Sequence, residues 1–163
     1  EHSEFREARR LAPGWLKVAM DLSYICRARR GEVLALTYSD IDDRGLMLRR
    51  SKGSASEITL WTPSLRSAVQ LSRELPATTN HLVRNERGPI SKSAFDSAWR
   101  RLMVKVREYG GGTWPFHDIK AKGLSDMKEP WAGHRSKEML DVYLRTPREV
   151  APDYADIAEL CIR

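Results

Sequence analysis

The sequence predicts an α+β domain, mainly α-helical, with a small antiparallel β-hairpin. Three observations point that way. Apolar residues recur at helical spacing over most of the chain, one short stretch reads as two strands about a turn, and Gly and Pro punctuate the segments between.

From the N-terminus, Leu16, Met20 and Ser23/Tyr24 keep helical spacing within 3–24. Pro13-Gly14 interrupts this stretch, so a helix should start near Gly14. A second helix is expected over 30–36. Asp40-Ile41-Asp42-Asp43-Arg44-Gly45 is turn chemistry. Leu46-Met47-Leu48 and Glu57-Ile58-Thr59-Leu60-Trp61 read as strands, with Ser51-Lys52-Gly53-Ser54 as the turn of the hairpin. Lys52 falls at the end of the first strand or in that turn. Thr62-Pro63 predicts a helix start, with Thr as N-cap and Pro in the first helical position. Leu65, Ala68, Val69 and Ser72 continue that helix, and Pro76 ends it. His81-Leu82-Val83 is expected to be a short strand.

Ser93 followed by Asp96 resembles a capping box. Phe95, Ala98, Trp99, Leu102, Met103 and Val106 then make an amphipathic helix, closed by Gly110-Gly111-Gly112. A further helix should start near Phe116 and run through Lys122 to Met127, with Pro130 breaking beyond it. Ser136 can cap a helix that carries Met139, Leu140, Tyr143 and Leu144, and a last helix is expected over 152–161.

At 163 residues the chain suits one domain over 1–163, and 41% hydrophobic residues supply a core without disulfide or metal. No apolar run approaches the roughly 20 residues of a membrane-spanning helix. Glu1-His2-Ser3-Glu4 has no signal-peptide character and reads as the interior of a longer polypeptide. Cys26 and Cys161 sit far apart, unlike a secreted disulfide framework, and fit a reducing, cytoplasmic setting. With the four histidines they make no zinc spacing, so no metal and no cofactor is expected. Gly110-Gly111-Gly112-Thr113 lacks the ending of a P-loop and reads as a connector. The net charge of +6 favours a polyanionic partner, a weak clue by itself.

Four segments carry the chemistry. They are Arg29-Arg30-Gly31-Glu32-Val33, Lys52-Gly53, His117-Asp118-Ile119-Lys120, and Ala132-Gly133-His134 with Tyr143 nine residues after His134. Cutting a phosphodiester without metal needs a nucleophile, fixed donors for the non-bridging oxygens and a proton for the departing oxygen. A tyrosine hydroxyl is a poor nucleophile at its ordinary pKa of about 10, so cationic neighbours must favour its ionised form. Arginine clamps phosphate through its planar fork, lysine can act as general acid, and histidine can donate to the phosphate or shuttle a proton. Each residue alone has a plainer reading. Tyr143 on an amphipathic helix is usually a packing aromatic, Lys52-Gly53 a common turn, Arg29-Arg30 a solvated helix start, and His117 and His134 capping or turn residues. Their joint occurrence in this order, above all the His134–Tyr143 interval, lifts the functional reading.

The order resembles the tyrosine recombinase (phage integrase) family, whose catalytic domain shows a Thr-Gly-x-Arg-x-x-Glu box, a hairpin lysine, a His-x-x-Arg box, a Gly-His pair and a tyrosine about nine residues later. The resemblance covers roughly 14–146. It implies the catalytic-domain fold of that family, Tyr143 as nucleophile, and Arg29, His117, Lys120 and His134 as the groups that hold the phosphate. It further implies Glu32 as the acidic supporter of Arg29 and Lys52 as the acid that protonates the leaving 5′ oxygen. The implied reaction is site-specific DNA recombination or integration through a 3′-phosphotyrosyl link. Implied partners are double-stranded DNA carrying an attachment site, a homotetramer on that DNA and an accessory directionality factor. Two departures stand out. The Thr-Gly pair is Cys26-Arg27 here, and the second arginine is Lys120, which keeps the charge and loses the fork. Lys122 is an alternative contributor in place of Lys120. A catalytically weak or inactive DNA-binding module of the same fold, and a type IB topoisomerase-like enzyme, fit the same residues.

The family's N-terminal core-binding domain has no counterpart in this chain, so weak DNA affinity is expected for it alone. Arg30, Lys122, Lys92, Arg100 and Arg101, with Lys105 and Arg107, are candidate DNA-phosphate contacts, the plainer alternative being a solvated polar face. The segment 147–163 carries Val150, Tyr154, Ile157, Ala158 and Cys161 on one apolar face. It is a candidate for exchange between protomers, against docking on its own domain.

Overall fold

The computed structural model describes residues 2–50, 56–126 and, for the backbone, 148–150. Its centre is helix α2 (Gly14–Ile25), whose side chains from Leu16 to Ile25 are buried apart from Lys17. A helix so enclosed must be covered on every side. Helices α1 (His2–Leu11), α3 (Arg30–Ala35), α4 (Pro63–Arg73) and α6 (His117–Ser125) all pack against it. Pro13, extended at φ −65°, separates α1 from α2, as the sequence predicts. Arg9 returns across that break to Asp21, donating from Nε and Nη2 at 2.7 and 2.8 Å, and Asp21 is 2% exposed.

The hairpin forms from β1 (Gly45–Leu48) and β2 (Glu57–Leu60), antiparallel with Leu48 opposite Glu57. A third strand, β5 (Arg148–Val150), adds to β2 in parallel and places its Arg148 position opposite Glu57. The sheet is therefore mixed, its hairpin antiparallel as expected and its far edge parallel.

Helix α4 starts where Thr62-Pro63 predicts. The Thr62 hydroxyl accepts from the Leu65 N–H at 3.2 Å. Two local expectations are corrected. His81-Leu82-Val83 is not a strand: His81 makes one isolated bridge to Thr37, and the two-residue ladder is β3 (Arg84–Asn85) against β4 (Gly88–Pro89). Leu82 and Val83 are apolar because they are fully buried, with Leu82 tied to Leu36 and Ser72. Helix α5 (Lys92–Glu108) is capped by Ser91, whose hydroxyl accepts from the Ala94 N–H at 3.2 Å, and not by Ser93. Asp96 is used instead in an ion pair with Arg30. Gly110, at φ 81°, ends α5 in the left-handed conformation that glycine adopts without strain.

One aromatic cluster fixes the start of α6. Phe116 sits edge-on to Phe95 and Trp99, with ring centroids 4.7 and 5.1 Å apart, and the Trp99 indole donates to the Trp114 carbonyl at 3.1 Å. His117, the first residue of α6, follows this anchor directly.

Candidate active site

The site is built from three segments that meet over the N-terminal end of α3. Arg29 is the residue before that helix and is extended at φ −71°, ψ 156°. Its N–H donates to Glu32 Oε2 at 2.7 Å and its Nη1 donates to Glu32 Oε1 at 3.0 Å. The Glu32 side chain is 2% exposed and that of Arg29 43%, so a buried carboxylate holds the base of an arginine whose outer face is open.

Behind this pair lies a charge network that the sequence reading missed. Arg50 follows the hairpin strand β1, with its side chain 8% exposed. Its Nη1 donates to the Arg27 carbonyl at 2.9 Å and to Glu32 Oε2 at 3.1 Å; its Nη2 donates to the Cys26 carbonyl at 3.2 Å and to Glu57 Oε1. Arg27, also buried, donates to the same Glu57 oxygen at 3.1 Å. Strand alternation carries the signal for Arg50: Leu46 and Leu48 are buried, and position 50 continues their side. Arg49 points the other way, to Asp40.

Arg27 accounts for the first departure from the family box. At φ 49° it stands in the left-handed region, where that box has glycine. This conformation costs an ordinary residue about 1–2 kcal/mol. The buried ion pair with Glu57 acts against that cost.

Lys120 approaches from α6. Partial burial, followed by the nearby charges of Arg29 and Arg50, holds its ammonium below the usual lysine range, against the opposing pull of Glu32 and Glu57. Among the described residues it has no ion-pair partner. Arg27, Arg29, Arg50 and Lys120 thus face two carboxylates, Glu32 and Glu57, and a net positive charge is left at the open side. Such a surplus in a partly desolvated site suits an oxyanion. His117 is exposed one turn before Lys120 on the same helix.

Helix α6 comes this close because residue 123 is glycine. A Cβ there would stand 2.3 Å from the Tyr24 carbonyl oxygen in α2. Lys122 lies on another side of α6, where its Nζ donates to Asp126 at 2.8 Å beside Tyr24, so it does not join the Arg29 cluster. Tyr24 donates to the same carboxylate at 2.8 Å. Arg30 is paired with Asp96 of α5. Lys92, Arg100 and Arg101, with Lys105 and Arg107, are exposed along α5. Lys52, His134 and Tyr143 lie outside the described residues, as do the helices expected around 136–144 and over 152–161. No group of metal-binding side chains occurs among the described residues.

No family model matches the chain. Two curated proteins resemble it in sequence. The integrase of Escherichia phage lambda is 24% identical over 163 residues, 88% of this chain and 45% of that protein. The integrase of Escherichia phage HK022 is 24% identical over 117 residues, 67% of this chain and 33% of that protein. The chain therefore spans less than half the length of these relatives. Among solved structures, the lambda integrase catalytic core superposes with a TM-score of 0.64 at 19% identity, covering 92% of this chain and 96% of that one. A lambda integrase (75-356) dimer bound to a COC′ core site superposes with a TM-score of 0.65 at 18% identity, covering 85% and 55%.

Proposed function

We propose that this chain, whose fold is that of the tyrosine recombinase catalytic core, is the catalytic half of a site-specific DNA recombinase of the phage-integrase type. The observation that carries the reading is that Lys120 of α6 lies within electrostatic reach of Arg29 and of its buried partner Glu32, in a chain with the fold of an integrase core. In this reading Arg29, Lys120, His117 and His134 hold the non-bridging oxygens of a scissile phosphate. The Tyr143 hydroxyl passes its proton to a histidine of the site or to water as its oxygen attacks phosphorus, the bond to the 5′ oxygen breaks, and Lys52 supplies the proton that the leaving oxygen takes. The products are a 3′-phosphotyrosyl link and a free 5′ hydroxyl. A partner strand's 5′ hydroxyl then reverses the step, and the covalent link conserves the bond energy.

Double-stranded DNA with an attachment site is the proposed substrate, a homotetramer on that DNA the working assembly, and an accessory directionality factor a further partner. The exposed cations Lys92, Arg100 and Arg101 are proposed phosphate contacts. The segment 147–163, whose Arg148–Val150 pairs here with β2 of its own chain, is proposed to exchange between protomers in the assembly on DNA, each copy then supplying that strand to its neighbour. No helix among the described residues is long and apolar enough to cross a membrane. A cytoplasmic site of action is proposed.

Covalent trapping tests the reading. The protein is incubated with nicked DNA bearing its attachment site and run on a denaturing gel. A slow-migrating protein–DNA band that Tyr143→Phe abolishes is expected. No band from the wild type on its own site would instead favour an inactive DNA-binding module, a reading to which Lys120 in place of arginine gives specific weight. Relaxation of supercoiled DNA without strand exchange would favour the topoisomerase-like reading.

A further inference from the structure

We infer that Arg50 is a positioning residue of the phosphate site: its buried fork fixes the Glu32 carboxylate and the 26–27 backbone so that Arg29 presents its guanidinium outward. The inference rests on the recombinase reading for its substrate and on geometry for its substance.

Glu32 is the pivot. One of its oxygens accepts from the Arg29 side chain, and the other accepts from both the Arg29 N–H and Arg50 Nη1. A buried carboxylate that faced Arg29 alone would draw that guanidinium inward and spend its charge on the ion pair. Arg50 shares the neutralisation, which leaves the charge of Arg29 available to an incoming anion. The second nitrogen of Arg50 reaches the Cys26 carbonyl and Glu57, so the same side chain ties the hairpin to the segment that precedes Arg29. Four acceptors thus meet two guanidinium nitrogens on one plane. A lysine ammonium has three protons on one nitrogen and cannot reach all four. Glu57 joins a third element, because its strand position pairs with Arg148, five residues after Tyr143 in sequence. The network therefore links the arginine box, the lysine hairpin and the strand that follows the nucleophile.

The test is a titration of the 163-residue chain with inorganic phosphate, read by the NMR signal of the Arg29 Nε–H, in wild type, Arg50→Gln and Arg50→Lys. Folding is checked by circular dichroism. In wild type the Arg29 signal should move saturably. Both variants should weaken phosphate binding by about tenfold, the scale of one lost hydrogen bond to a charged group. In an Arg29→Ala background neither should weaken it further, because their effect passes through Arg29. A merely structural role would lower the melting temperature and leave this coupling at zero. If Arg50→Gln does not fold, Arg50→Lys, which keeps the charge, carries the test. Wild-type phosphate affinity in Arg50→Lys, or a loss that simply adds to that of Arg29→Ala, would overturn the inference. Covalent trapping of the wild type is scored in parallel. Coupled phosphate binding with no Tyr143 adduct would sink the recombinase reading and leave the role of Arg50 standing.

Discussion

Replacing Gly123 by alanine should both destabilise the protein and disable the site. The added Cβ would stand 2.3 Å from the Tyr24 carbonyl oxygen and 3.2 Å from its carbon. Ordinary contact begins at 3.4 Å, so α6 must retreat by about 1.1 Å. The opposing atoms are backbone of α2, the most enclosed helix, and cannot swing aside as a side chain would. Overpacking of this kind costs about 1–3 kcal/mol. Lys120 lies one turn before Gly123 and His117 two turns before it, so the displacement carries both away from Arg29. Misplacement of a catalytic group by 1 Å can cost about a hundredfold in rate. Urea denaturation gives the stability and the rate of Tyr143 adduct formation gives the chemistry. Gly31→Ala in α3, where a Cβ meets nothing within 4 Å, is the stability control and should be neutral or stabilising. A Gly123→Ala protein with wild-type midpoint and wild-type adduct rate would refute the claim that close packing at this glycine sets the position of α6.

Three further predictions follow from named contacts. Because Lys120 is held below the ordinary lysine range, its charge is present below that lowered pKa and lost as pH rises through it. Affinity for inorganic sulfate, whose own charge is constant there, should fall earlier on the alkaline side than with an ordinary lysine, and Lys120→Arg should remove that fall. Thr62→Ala removes the cap of α4 and should lower stability by about 1 kcal/mol in urea, with adduct formation unchanged at temperatures where the protein stays folded. Asp21→Asn removes the carboxylate to which Arg9 donates twice; burial already holds that carboxyl above its ordinary range, so the change should cost about 1–2 kcal/mol, and an unchanged melting temperature would show that this pair does not anchor α1.

Much of the fold was legible because its signals are local. Pro13-Gly14, Thr62-Pro63 and the glycines at 110–112 mark helix boundaries through φ restriction, missing donors and tolerance of positive φ, and the structure places those boundaries there. The errors arose where two local readings compete. Ser91 and Ser93 are both of a type that caps a helix; Ser91 does so, and Asp96, the acidic residue that suggested a capping box with Ser93, pairs with Arg30 from another helix. Leu82 and Val83 look like strand residues, yet their apolarity serves burial. In the site, the Arg29–Glu32 pair was pointed to by the resemblance to the family's arginine box, and a three-residue spacing lets the two side chains meet within one turn. Arg50 could have been found by extending the alternation of Leu46 and Leu48. Glu57 could not, since its tie to Arg27 spans 30 residues and exists only once the hairpin docks.

The left-handed Arg27 couples the choice of residue at position 27 to the hairpin it reaches. Glycine at that position would relieve the backbone and remove one of the two guanidinium groups that face Glu57. Changing Glu57 alone would deprive Arg27 and Arg50 of a shared acceptor. Arg27→Gly therefore sets a relieved backbone, worth about 1–2 kcal/mol, against the loss of one guanidinium from Glu57, which Arg50 continues to neutralise, whereas a change at Glu57 only removes an acceptor. A hairpin grafted onto this chain without a carboxylate at position 57 should accordingly destabilise it, because Arg27 and Arg50 both donate to that group.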